Sequence, residues 1–125
     1  MRNFHPAAWA DERGTTAIEF AIVAPVFILL VIGFIYACLA LFTVGSMHFA
    51  VEEGARCRSV RTTICSDEAT TIAYAKSRYF GPSSAPSFSY ATAACGNSVS
   101  ASANYVMHLG LTQLTVPIRA TACFP

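Results

Sequence analysis

From Phe20 to Met47 the chain carries no Asp, Glu, Lys or Arg. That run exceeds the roughly 20 apolar residues needed to cross a bilayer. It predicts a membrane-spanning helix that begins around Thr15–Ala17. Pro25 falls inside it. Proline cannot donate to the helix ladder and crowds the carbonyl of Ala21, so a kink or loosening is expected near Ala21–Pro25. Membrane helices tolerate this better than soluble ones. After Gly45 the pattern turns amphipathic. Met47, Val51 and Gly54 recur at helical spacing, and Glu52 stands four residues before Arg56, the supportive order for a helix pair. The helix is expected to continue to about Arg61.

A second helix is predicted behind Ser66 as its cap. Asp67 and Glu68 suit its N-terminal end, and Lys76 and Arg78 its C-terminal end. Ala69, Ile72, Ala73 and Tyr79 or Phe80 give it an apolar side. Gly81-Pro82 should stop it, and Pro82–Ser87 reads as a loop. Alternation then shifts to period two. Phe88 and Tyr90 alternate with serines, and "CGN", Cys95–Asn97, is a turn signal. Val99, Ala101, Ala103, Tyr105, Met107 and Leu109 form one apolar row, and Leu114, Val116, Ile118, Ala120 and Ala122 another, with a turn at Gly110. Pro117 places the last strand at an edge. The expected class is α+β: a long N-terminal helix, a second helix and a three-stranded antiparallel sheet. The divisions are 1–14, 15–45 and 46–125.

The apolar run is about twice the length of a secretory signal's core, which argues for an anchor. Net charge is +1, and no basic patch supports nucleic-acid binding. Arg2 and Arg13 precede the span while Arg56, Arg58 and Arg61 follow it, so the positive-inside count leans slightly against a cytoplasmic N-terminus. The cysteines point the other way. Cys38 lies in the span, but Cys57, Cys65, Cys95 and Cys123 all follow it, an even set that suits an oxidising compartment. Four cysteines allow three connectivities. Pairing the last two strands about Gly110 brings Cys123 close to Cys95, which favours Cys95–Cys123 and Cys57–Cys65; free thiols are the alternative. No CxxC pair supports zinc or redox chemistry.

The span's one acid is Glu19, five residues after Gly14. Glycine accommodates close approach of another backbone, as in a peptidase site. Cutting after Gly14 would give Thr15 a new α-ammonium, four residues before Glu19 and on the same helix face. The ammonium would offset the cost of a carboxylate at the membrane edge. The Thr15–Glu19 pair could close within one chain or equally between two; closed between two chains, it would set axial register, because a polar contact in an apolar seam penalises misalignment.

The stretch "RGTTAIEF", with Gly14, Glu19 and Phe20, resembles a prepilin processing site of the Flp type. "AIEFAIVAPVFILLVIGF" with Pro25, followed by "AVEEGARCRSV", is similar to the TadE-like pseudopilins of tight-adherence (Flp) pilus systems. The likeness is densest over residues 13–60; "ACGNSVSAS" and "ATACFP" resemble the disulfide-bearing C-terminal region of some members. The resemblance implies a pilin-like protein of the bacterial inner membrane. Its leader, 1–14, would face the cytoplasm and be removed by a prepilin peptidase, and residues 46–125 would lie in the periplasm. It implies a minor pilin or pseudopilin in type IV pilus assembly, with adhesion and biofilm formation downstream. Its partners would be other pilins and the inner-membrane assembly platform, and the pilus itself is a second location that the resemblance allows.

No GxSxG, P-loop, GxGxxG or HExxH occurs, so no enzyme reading is supported. No catalytic residue, metal site or cofactor is expected, and His48 and His108 have no partner at ligand spacing. The competing function is an uncleaved single-pass membrane protein whose periplasmic domain binds another protein.

Overall fold

A computed structural model describes residues 12–82 and 86–125. Positions 1–11 of the expected leader, and 83–85 of the expected loop, lie outside the described residues. The elements are α1 (Glu12–Val60), α2 (Glu68–Ser77), β1 (Ser87–Ala93), β2 (Gly96–Leu109) and β3 (Thr112–Phe124). The class is α+β, with an apolar helix long enough to cross a membrane.

Helix α1 is described from Glu12, so the expected start at Thr15–Ala17 lies inside it. The helical assignment runs unbroken through Pro25 and ends at Val60. The chain divides into two compact units, Met1–Ile35 and Tyr36–Pro125. In the first unit the large apolar side chains, from Ile18 to Ile35, are exposed.

The second unit holds the core. Along α1, Thr43, Ser46, Met47, Ala50, Val51, Gly54 and Ala55 are buried. This is a stripe at helical spacing, set against the sheet. Val99, Ala101, Tyr105, Ile118 and Ala120 complete it from β2 and β3, and Ala75 from α2. The Thr43 hydroxyl is buried because it donates back to the Leu39 carbonyl at 2.8 Å.

Helix α2 departs from expectation in two ways. Its N-cap is Asp67, not Ser66, and it ends at Ser77, before Gly81-Pro82. Asp67 Oδ1 accepts from the Thr70 amide at 2.8 Å, and the Thr70 side chain accepts from the Asp67 amide, a reciprocal capping box. Its buried positions are Thr71 and Ala75, while Ala69 and Ala73 face out. Thr71 can be buried because its hydroxyl donates to the Asp67 carbonyl at 2.7 Å. Hydropathy alone misplaces this face by treating Thr71 as polar.

The sheet is an antiparallel meander in the order β1-β2-β3. Tyr90 pairs with Val99 and Val99 with Ala122; Tyr105 pairs with Val116. The β1–β2 turn falls on Ala94-Cys95, one residue earlier than "CGN", so Gly96 and Asn97 belong to β2. The β2–β3 turn is two residues, Gly110-Leu111, with Leu109 opposite Thr112. Gly110 has φ +74°, which fits glycine at the first central position of a II′ hairpin turn. Pro117 sits on β3, an edge strand, opposite Asn104.

Candidate functional site: the amino-terminal helix and the seat of the sheet

Two groups of residues carry the functional argument, one in each unit. The first is Gly14, Thr15, Glu19, Phe20 and Pro25. All five lie on α1, and Gly14, Thr15, Glu19, Phe20 and Pro25 are exposed. Among the described residues, a Cβ built on Gly14 would meet no atom within 4 Å. The Gly14–Thr15 bond lies within α1, where both residues are exposed. Glu19 stands among Ile18, Phe20, Ile22 and Val23, all exposed. An acid in that setting is costly unless another group meets it.

The second group seats the sheet on α1. Gly54 is closest: a Cβ there would lie 2.9 Å from the Ala75 Cβ and 3.5 Å from a Val99 methyl. The stretch "EEGAR", Glu52–Arg56, is divided between solvent and core. Glu52 and Arg56 are exposed, whereas Gly54 and Ala55 are buried against α2 and β2. At the end of α1 a polar chain fixes the sheet. Tyr90 Oη donates to Asn97 Oδ1 at 2.6 Å, Asn97 Nδ2 to Ser59 Oγ at 2.8 Å, and Ser59 Oγ to the Phe124 carbonyl at 3.2 Å.

Both staples are formed: Cys57 with Cys65 across the α1–α2 connection, and Cys95 with Cys123 at the base of the sheet. Cys38 is a free, exposed thiol on α1. Arg58 donates to the Cys65 carbonyl at 2.8 Å, holding the stapled loop to the helix.

Sequence reasoning did not find the cluster about Tyr74. Its hydroxyl accepts from Arg61 at 3.2 Å and Arg78 at 3.0 Å, and donates to Glu53 at 3.4 Å. The Arg78 guanidinium also lies 4.8 Å from the Tyr74 ring centroid. Tyr74 and Arg78 are four residues apart, but Glu53 and Arg61 are remote from them and obey no motif, so only the fold joins the four. A cavity of ≈ 110 Å³ beside them is lined by Glu53, Arg56, Cys57, Val60, Arg61 and Tyr74. Among the described residues, no group of three His, Cys, Asp or Glu side chains is placed to hold a metal ion.

The TadE-like protein family matches residues 14–56. The TadE-like segment begins at Gly14 and ends at Arg56, so it takes in both the exposed apolar helix and the buried Gly54-Ala55 seat. The match agrees with the resemblance read from the motifs. No curated protein and no solved structure matches the chain.

Proposed function

We propose that this chain is a minor pilin or pseudopilin of a Flp-type, tight-adherence pilus, cut after Gly14 by a prepilin peptidase. Its N-terminus enters the membrane from the cytoplasm, and residues 46–125 fold in the periplasm, where the two disulfides form. The mature chain begins at Thr15. Its α-ammonium meets the Glu19 carboxylate of a neighbouring subunit, and Phe20 packs beside that contact. Pro25 leaves the Ala21 carbonyl without its usual donor, so α1 yields locally when a subunit leaves the bilayer for the assembly platform and the filament.

One observation carries this reading. The family match starts at Gly14, the residue on which the cut, the new ammonium and the five-residue spacing to Glu19 all depend. An ion pair between subunits at the edge of a bilayer fixes their axial register, because neither charge is satisfied by lipid.

The test is Glu19→Ala in cells that depend on this chain for piliation. Cleavage should proceed, while surface pili and adhesion fall; Glu19→Asp should restore part of the loss. Normal piliation with Glu19→Ala would remove the inter-subunit pair. The rival reading, an uncleaved anchor with a protein-binding domain, predicts no change in either variant.

A further inference from the structure

The geometry points to a second membrane contact: the tip of the β2–β3 hairpin rests in the lipid headgroup layer beside the helix that anchors it. This inference rests on the membrane-anchored part of the proposed function and not on cleavage or pilus assembly.

The sheet runs antiparallel to α1, and two contacts fix the direction. Asn97 bonds Ser59, and Val99 packs at Gly54. Moving along β2 therefore means moving back along α1 toward Phe42. From Gly54 to Phe42 is about 18 Å of helix. From Val99 to Leu109 is about 33 Å of strand. The hairpin tip reaches the level of Phe42 at any crossing angle up to about 55°.

That level is where the membrane surface falls. Leu39, Leu41 and Phe42 are exposed apolar side chains on α1. The next exposed polar side chain is His48. Lipid must cover the first three residues, and water reaches the last.

The tip suits the same boundary. Leu111 is fully exposed, Leu114 is 49% exposed, and Val106 and Val116 are exposed as well. Leu114 and Val116 pair with Met107 and Tyr105, so they extend the core-facing row past the core. No Asp, Glu, Lys or Arg occurs between Arg78 and Arg119. Edge strands in water are normally protected by charge, and β3 has none near its tip. A neutral apolar turn, flanked by Thr112, Gln113 and Thr115, matches the headgroup–acyl boundary. The contact would fix the tilt of the seated domain relative to the membrane surface, which a single membrane helix leaves free.

Tryptophan placed by substitution tests this in the full chain. The chain's single tryptophan, Trp9, is first replaced by phenylalanine. Leu111→Trp, Thr92→Trp and Leu30→Trp are then reconstituted separately into phosphatidylcholine vesicles, with and without dibrominated acyl chains. Leu111 and Thr92 are exposed at opposite ends of the sheet, so neither change should disturb folding. Leu111→Trp should lose about half of its emission to brominated lipid, Leu30→Trp more, and Thr92→Trp less than about a tenth. Unquenched emission from Leu111→Trp beside a quenched Leu30→Trp would overturn the second contact and leave the anchor standing. A blue-shifted Leu111→Trp that resists bromine but reddens on dilution of protein in lipid would assign the tip to a second copy, again overturning it. An unquenched Leu30→Trp would overturn the anchor itself, and this inference with it.

Discussion

Gly54 is the tightest point between α1 and the elements packed on it. A methyl there lies 2.9 Å from the Ala75 Cβ and 3.5 Å from a Val99 methyl, and both neighbours are fully buried. Carbon atoms prefer about 3.5–4.0 Å, so α2 or the sheet must move back by roughly an ångström. Alanine offsets part of that with up to about 1 kcal/mol of helix propensity, but the Ala75 Cβ is fixed to its backbone and cannot swing aside, so Gly54→Ala should still lose stability, though less than valine. Valine gains less propensity and adds two more carbons at the same place. Overpacking costs about 1–3 kcal/mol, and Gly54→Val should sit at the upper end. For a unit of this size, about 2–3 kcal/mol corresponds to a Tm lower by roughly 10–20 °C. The assay is near-ultraviolet circular dichroism of the detergent-solubilised chain during heating, because the far-ultraviolet signal is dominated by α1. A Gly54→Val chain melting within about 2 °C of the native one would refute the close-packed seat.

The staples should differ in worth. Their sequence separations are 8 and 28, so loop-closure entropy assigns about 2.5 kcal/mol to Cys57–Cys65 and about 3.6 kcal/mol to Cys95–Cys123. Urea unfolding of the two double-alanine variants should show the Cys95–Cys123 loss as the larger; the reverse order would count against the entropic account. Acid should weaken the α2 cap. The Thr70 amide, and then its hydroxyl, hold the Asp67 carboxyl below its ordinary value of 3.8. The folded-state value is thus the lower one, so the charge's contribution is present above 3.8 and is lost as pH falls through the folded value. Asn caps without titrating, so the stability gap between the native chain and Asp67→Asn should narrow as pH drops below that range. A gap that stays constant there would show that the charge contributes nothing. Gly14→Trp should block processing and leave the precursor in the membrane fraction on an immunoblot; cutting at the normal rate would remove the argument for close backbone contact with a peptidase.

What could be read from the sequence was whatever local pattern determines. The charge-free run Phe20–Met47 announces the long helix, and period-two rows at Val99–Leu109 and Leu114–Ala122 announce strands whose register follows from the turn at Gly110. Gly14 and Glu19 stand out by their spacing alone, and the processing and piliation experiments decide what that spacing means. What failed depends on three-dimensional context. The α2 cap passes to Asp67 because Thr70 can answer it with a second hydrogen bond, a choice between neighbours that propensity does not make. The buried side of α2 includes Thr71, whose hydroxyl is satisfied by its own helix, so a hydropathy stripe points to the wrong face. Gly54 looks like a weak spot in a helix until Ala75 and Val99 are brought against it. The Tyr74 cluster joins residues from α1, α2 and their flanks; the four-residue step from Tyr74 to Arg78 is helical, but nothing in the chain marks Glu53 and Arg61 as their partners.

The central claim is that proteolysis creates a positive terminus for Glu19 to meet. Intact-mass and N-terminal peptide measurement on the chain extracted from cell membranes tests it most directly. The account predicts a mature polypeptide beginning at Thr15, with the precursor accumulating only when the prepilin peptidase is absent. A mature chain that still begins at Met1 or Arg2 would contradict it.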